Sequence, residues 1–94
     1  MKHYIIVKFK PEVRLLDHLA DIEAIFRKTA EIPGVHGVSL YPGVNLERGN
    51  RYDLMIEMDM EAQSLPVYDA SAAHHEWKDK YGALIDKKCI FDRD

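Results

Sequence analysis

The feature that most restricts the fold is a two-residue alternation between positions 52 and 60. The even-numbered positions are all apolar: Tyr52, Leu54, Ile56, Met58 and Met60. The odd-numbered positions are mostly charged: Asp53, Met55, Glu57 and Asp59. Because successive side chains of a strand point to opposite faces, the pattern predicts a strand with one buried face.

Residues 3–9 alternate in the same way and predict the first strand, with His3, Ile5, Val7 and Phe9 on one face. Pro11 ends it, because proline donates no ladder hydrogen bond. A helix is predicted over residues 17–31, with Asp17 as its N-cap and Ile32-Pro33-Gly34 after it.

A second strand is predicted over residues 35–41, followed by a loop with the turn formers Asn45, Gly49 and Asn50. Ser64-Leu65-Pro66 predicts a helix entry. Ser71 is the expected N-cap of a helix that continues to about residue 87, and residues 88–92 predict the last strand.

The order strand, helix, strand, strand, helix, strand is the ferredoxin-like βαββαβ unit of the α+β class. Its right-handed crossovers place both helices on one face of a four-stranded antiparallel sheet, ordered 4-1-3-2. The other face would carry Tyr4, Ile6 and Met55 beside charged residues. Such a half-apolar face favours burial against an identical chain, forming a dimeric α/β barrel. A monomer with a few exposed apolar residues remains the alternative.

Length and charge restrict the remaining classes. The 94 residues fit one domain spanning positions 1–94. The net charge is −3 and no basic stripe is present, which argues against a nucleic-acid partner. No apolar run approaches the roughly 18 residues of a membrane span or resembles a signal peptide. The single Cys89 fits a reducing compartment, so we expect a cytoplasmic protein.

Three side chains are candidates for chemistry. At about 100° per residue, His74 falls in the same helical stripe as Trp77 and Tyr81, whereas His75 faces solvent. His3 points to the same interior from the first strand, and Tyr68 precedes the last helix by a few residues. Two interpretations stay open: hydrogen-bonded core histidines, or a general acid–base site in which imidazole is the base and the phenol holds a carbonyl oxygen.

Other site types have weaker support. The run His74-His75-Glu76 lacks the i, i+4 histidine pair of a zinc helix, so no metal site is predicted. Cys89 is expected to be a small core residue, with no partner for a cysteine nucleophile. The glycines form no phosphate-binding loop, and we expect no cofactor.

The chain resembles the stress-responsive A/B barrel family, also called dimeric α+β barrel or Dabb proteins, over nearly its whole length. The resemblance rests on the opening Lys2-His3-Tyr4-Ile5-Ile6-Val7-Lys8-Phe9-Lys10, the Ile32-Pro33-Gly34-Val35 junction, the Leu65 to Trp77 stretch and the ending Ile90-Phe91-Asp92. It implies a homodimer whose sheets pack face to face, with a small pocket between sheet and helices in each monomer.

The resemblance implies less about activity. One plant branch of the family consists of polyketide cyclases with pocket His and Tyr residues, and His3, Tyr68 and His74 fall where that branch keeps such residues. Leu54 and Ile25 stand where it has a further His and Tyr. The leading hypothesis is therefore a dimer that binds a small apolar or aromatic molecule, with His74 transferring protons. The alternatives are a non-catalytic stress-related dimer and a dimeric-barrel oxygenase, which would need haem or an aromatic ligand near His74 or His75.

Overall fold

The computed structural model describes residues 1–44 and 46–94, so the predicted turn former Asn45 lies outside the described residues. Two strands form the centre of a four-stranded antiparallel sheet: β1 (Lys2–Phe9) and β3 (Leu54–Met60). The outer strands are β2 (Val35–Pro42), beside β3, and β4 (Ile85–Arg93), beside β1. The order β2-β3-β1-β4 is the predicted 4-1-3-2 arrangement, and the ferredoxin-like fold is confirmed.

Among the described residues, three α-helices accompany the sheet: α1 (Leu15–Thr29), the short α2 (Leu65–Asp69) and α3 (Ala72–Tyr81). The alternation in β1 and β3 translates directly into burial, because every second residue of each strand is buried in the core. Val7, Ile56 and Met58 are fully buried in one cluster with Ile22 and Phe26 of α1. No helix of the described residues is long and apolar enough to span a membrane.

The opposite face of the sheet is only partly buried. Tyr4, Ile6 and Met55 lie on it, as the alternation predicts. The Tyr4 hydroxyl donates to Glu57 Oε1 at 3.0 Å, and the Tyr41 hydroxyl donates to Glu57 Oε2 at 3.1 Å. We call this surface the open face.

Several predicted boundaries are wrong at the helix starts and ends. Helix α1 begins at Leu15, its N-cap is Arg14 without a side-chain hydrogen bond, and Asp17 lies in its first turn. The last helix ends at Tyr81 rather than near residue 87, and a 3₁₀ turn (Gly82–Leu84) leads into β4. Ile85 fits a helical stripe equally well, but it pairs with Phe9 in the β1–β4 ladder, and tertiary pairing decides.

Strand β3 starts at Leu54, and Asp53, directly before it, bonds to the end of β1. Its backbone N–H donates to Val7 at 2.9 Å, and its carboxylate accepts from the Phe9 N–H at 2.7 Å. The Ser71 cap is confirmed: its hydroxyl accepts from the His74 N–H at 3.1 Å. Gly34 has a φ of 88°, and a Cβ there would lie 1.9 Å from Ser64 Oγ, so this turn requires glycine.

Candidate functional site

A cleft of about 310 Å³ opens between the β1–β4 side of the sheet and the helices α2 and α3. It exists because the helix-facing side of β4 has little cover: Ile90 pairs with the buried Ile5 and is nevertheless 47% exposed. We call it the histidine cleft. Its lining residues are His3, Ile5, Leu65, Tyr68, Asp69, His74, Trp77, Lys78, Lys88, Ile90 and Asp92. All three residues predicted to form a site line it.

Tyr68 lies on α2 between the two imidazoles. Its ring centroid is 4.7 Å from that of His74 and 6.2 Å from that of His3, in edge-on geometry. The side chain is fully buried, yet its hydroxyl has no hydrogen-bond partner among the described residues. Burial, and secondarily the Asp69 carboxylate, raise the pKa of Tyr68, so the phenol stays protonated and can donate.

His74 occupies the first turn of α3, where Ser71 caps the helix. Its Nδ1 lies 2.9 Å from the Asp69 carbonyl oxygen. A carbonyl only accepts, so Nδ1 carries the hydrogen and the neutral ring keeps its lone pair on Nε2. Partial burial lowers the pKa of His74, and this effect outweighs the hydrogen bond to and the charge of Asp69, which raise it. The lowered pKa favours the neutral imidazole at pH 7. An imidazole in this state is a competent general base.

The position of His74 differs from the prediction in one respect. The buried residues of α3 are Ala73, Trp77 and Tyr81, whereas His74 is half-buried. The buried stripe is centred near Trp77, about 60° from His74 at 100° per residue, so His74 lies at its margin. His75 is exposed, as predicted, and its Nδ1 lies 2.8 Å from the Ser71 carbonyl oxygen. The margin gives His74 access to both core and cleft.

His3 is 6% exposed on β1, and its Nδ1 donates to the carboxylate of Asp92 on β4. The two residues are direct partners in the β1–β4 ladder and therefore share a face. Sequence reasoning missed Asp92 and the cleft-lining Lys88. A usable signal was present: Asp92 has the same parity as Ile90 on the strand predicted to lie beside the first one.

Two other predictions concern reactive or metal-binding groups. Cys89 is exposed, so its assignment to the core is wrong; it pairs with Ile6 and lies on the open face of an edge strand. Phe91 is also 56% exposed. Within residues 1–44 and 46–94, no group of three or more His, Cys, Asp or Glu side chains is placed to hold a metal ion. Leu54 and Ile25, the positions that the sequence resemblance matches to a further His and Tyr, are buried core residues.

Solved structures with the same fold cover almost the whole chain. A dimeric ferredoxin-like protein of unknown function from Thermobifida fusca superimposes with a TM-score of 0.79 at 14% identity, covering 96% of this chain and 85% of that chain. A Dabb family protein from Mesorhizobium loti gives 0.73 at 14% identity, covering 99% and 93%. Hydroxynitrile lyase from Passiflora edulis gives 0.74 at 12% identity, covering 96% and 87%.

No family model matches the sequence, and no curated protein matches it either. At identities of 12–14%, the structural likeness establishes a shared fold. This chain therefore has the ferredoxin-like fold of a solved Dabb family protein, in agreement with the resemblance found in its sequence.

Proposed function

We propose that this protein is a homodimer that binds a small, largely apolar carbonyl compound in the histidine cleft and performs acid–base chemistry on it. The observation that carries the proposal is the Tyr68 hydroxyl, which is buried beside the cleft without a partner among the described residues. Leaving a buried hydroxyl unpaired costs about 1–3 kcal/mol. A ligand oxygen that accepts from Tyr68 would remove this cost.

Each group around Tyr68 has its own role in the proposed reaction. Ile5, Leu65, Trp77 and Ile90 provide apolar walls for the ligand body. Tyr68 donates to the carbonyl oxygen, and His74 Nε2 takes a proton from the adjacent carbon. The same proton is then returned at another position, as in an isomerisation or cyclisation. His3, oriented by Asp92, holds the ligand from the sheet side.

A solved enzyme supports the catalytic part of this proposal. The Passiflora edulis protein with this fold is a hydroxynitrile lyase. Its likeness to this chain concerns the fold, so the reaction proposed here rests on the residues of the histidine cleft. The dimeric proteins with this fold likewise support a homodimer.

The open face is the surface we propose for dimerisation. It presents Tyr4, Ile6, Met55 and Phe91, and Tyr4 and Phe91 lie 6.2 Å apart between ring centroids. A second copy related by a two-fold axis would bury this face. We also propose a cytoplasmic location, because Cys89 is the single cysteine of the sequence and cannot form a disulfide within the chain, which fits a reducing compartment.

The site is tested by following the His74 imidazole resonances by NMR against pH, with and without a panel of phenolic and polyketide-like ligands. We expect His74 to titrate below its ordinary pKa of 6.5 in the free protein. A ligand should shift this titration, and Tyr68→Phe should abolish the ligand's effect while leaving the free titration in place. Val67→Ala, an exposed change on the same helix, is the matched control.

An imidazole that ignores every ligand would overturn the acid–base proposal and favour a non-catalytic dimer. The dimer is tested separately by light scattering on Ile6→Asp and on Val67→Asp, which places the same charge on α2. A buried unpaired charge costs several kcal/mol, so Ile6→Asp should raise the dissociation constant at least about 30-fold. Equal masses for both variants and the parent chain would exclude the open face as the interface.

A further inference from the structure

A second and larger cleft lies near the opposite end of β1. It has a volume of about 660 Å³ and is formed by the end of β1, the β1–α1 connection with the first turn of α1, and described residues of the loop between β2 and β3. We call it the basic cleft. None of its lining residues lines the histidine cleft, and the function proposed above makes no use of it.

The charge of the basic cleft is opposite to that of the whole chain. The chain carries a net charge of −3, whereas the lining contains five basic residues and only two acidic ones. The basic residues are Lys8, Lys10, Arg14, Arg48 and Arg51, and the acidic ones are Glu47 and Asp53. The Asp53 carboxylate already accepts the Phe9 N–H at 2.7 Å. A concentration of like charge in a concave surface attracts anions.

Three of the cations are available to a ligand. Within the part of the chain that the structure describes, the side chains of Lys10, Arg14 and Arg48 form no ion pair or hydrogen bond. Lys8 and Arg51 are used locally: Lys8 donates to the Gly49 carbonyl, and Arg51 donates to Asn50 Oδ1 at 2.7 Å. The Lys8 bond ties the β2–β3 loop to β1 and so fixes one wall of the cleft.

Apolar side chains accompany these charges. Leu16 is 74% exposed, Val44 76% and Leu46 51%, and all three line the basic cleft. Phe9, Val13, Leu15 and Tyr52 line it as well. Exposed apolar residues gathered in one concave surface, rather than scattered singly, mark a binding site. The volume also falls within the range of about 300–1,000 Å³ that is usual for ligand pockets.

We infer that the basic cleft binds a small amphipathic anion, a medium-chain carboxylate whose head group pairs with Arg14 and Arg48 and whose alkyl chain covers Leu16, Val44 and Leu46. A bidentate guanidinium–carboxylate pair supplies the directional contact. The alkyl chain removes exposed apolar surface from water. Neither a purely polar anion nor a neutral alkane would use both halves of the cleft.

Decanoate is the probe, added to the full chain and followed by amide chemical shifts and calorimetry. We expect saturable binding, with shifts centred on residues 13–16 and on the described part of the β2–β3 loop. Arg14→Gln with Arg48→Gln should weaken binding at least about tenfold, the size expected from losing charge-assisted contacts. Arg14→Lys with Arg48→Lys keeps the charge but loses the bidentate geometry, so it should restore only part of the affinity.

The matched control is Lys78→Gln with Lys88→Gln, which removes the same charge from the histidine cleft. It should bind decanoate as the parent chain does. The inference is overturned if this control loses binding and the arginine variant keeps it, or if decyltrimethylammonium binds as tightly as decanoate. Absence of saturable binding would overturn it equally.

Two further measurements separate other occupants of the cleft. The arginine variant should keep the far-ultraviolet dichroism spectrum and the molecular mass of the parent chain. A lower mass would assign the cleft to an interface between copies. Cosedimentation with phosphatidylglycerol vesicles, lost in the arginine variant and unaffected by decanoate, would assign it to a lipid surface. Either result would overturn the small-molecule assignment.

Discussion

Two buried tyrosines on the helix layer differ in one respect that separates structure from function. Tyr81, at the end of α3, is 3% exposed, and Tyr68, on α2, is 1% exposed. The Tyr81 hydroxyl donates to Asp21 Oδ2 at 2.6 Å, whereas the Tyr68 hydroxyl has no partner among the described residues. The region around Tyr81 satisfies its own hydrogen bonds. The region around Tyr68, as far as the structure describes it, leaves a hydroxyl donor unpaired beside the histidine cleft.

The region around Tyr81 forms a closed polar network across the α1–α3 contact. Lys80 lies 3.4 Å from Asp21 and 2.9 Å from Glu76, and Lys28 lies 3.0 Å from Glu76. Buried polar groups are nearly always paired, and the exceptions concentrate where a ligand or a reaction requires them. The comparison therefore indicates a stabilising role for Tyr81 and supports the ligand-binding role that we propose for Tyr68.

Trp77 joins the two regions, and its removal should have the largest effect. Its ring lies 5.2 Å from Phe26 and 5.3 Å from Tyr81, and it also lines the histidine cleft. Trp77→Ala should lower the free energy of unfolding by about 3–5 kcal/mol, through lost packing and the resulting cavity. Urea denaturation measures this, with Val67→Ala expected to change stability little. A loss below about 1 kcal/mol would mean that the layer repacks freely.

Tyr81→Phe should have the next largest effect. The substitution removes a hydrogen bond to a charged acceptor, and such bonds contribute about 1.5–3 kcal/mol. Asp21 is partly exposed and regains water, so we expect a loss near 1 kcal/mol at pH 7, measured by urea denaturation. Stability equal to that of the parent chain would show that the hydrogen bond between Tyr81 and Asp21 contributes nothing. The stabilising role of Tyr81 would then be wrong.

The contribution of the Tyr81–Asp21 hydrogen bond to stability should depend on pH. The Tyr81 hydrogen bond, helped by the charges of Lys80 and Lys28, holds the pKa of Asp21 below its ordinary value of 3.8. A carboxylate with a lowered folded pKa contributes stability above its unfolded pKa and loses it as pH falls through the folded value. The stability gap between the parent chain and Tyr81→Phe should therefore narrow between pH 6 and pH 3. A gap that stays constant in thermal melts at both pH values would contradict this.

The order of elements could be predicted because it depends on local patterns. The alternation in β1 and β3 and the Ser71 cap each specify their structure within a few residues. Errors arose where distant residues decide. Ile85 joins the β1–β4 ladder instead of the helix, and Cys89 is exposed because none of the described residues of the single chain covers the open face.

The candidate site could be predicted in part for the same reason. Helical spacing and strand parity brought His3, Tyr68 and His74 to one end of the core, and all three line the histidine cleft. The parity of Asp92 indicates its face of the sheet, but its pairing with His3 depends on the register between β1 and β4, which no local pattern specifies. The missing partner of Tyr68 is likewise a property of the packed structure.

Tyr68→Phe should have the smallest effect on stability and is the most decisive test. The change removes only the hydroxyl, and without a partner to lose, the free energy of unfolding should stay level or rise by up to about 1 kcal/mol. This is opposite in sign to Tyr81→Phe. A ligand that accepts from Tyr68 binds only the folded state and adds stability according to its concentration and affinity. Saturating ligand should therefore make the parent chain the more stable of the two. If Tyr68→Phe instead lowers the free energy of unfolding by 1 kcal/mol or more without ligand, the hydroxyl already has a hydrogen-bond partner in the free protein. The proposal that this hydroxyl bonds to a ligand is then refuted.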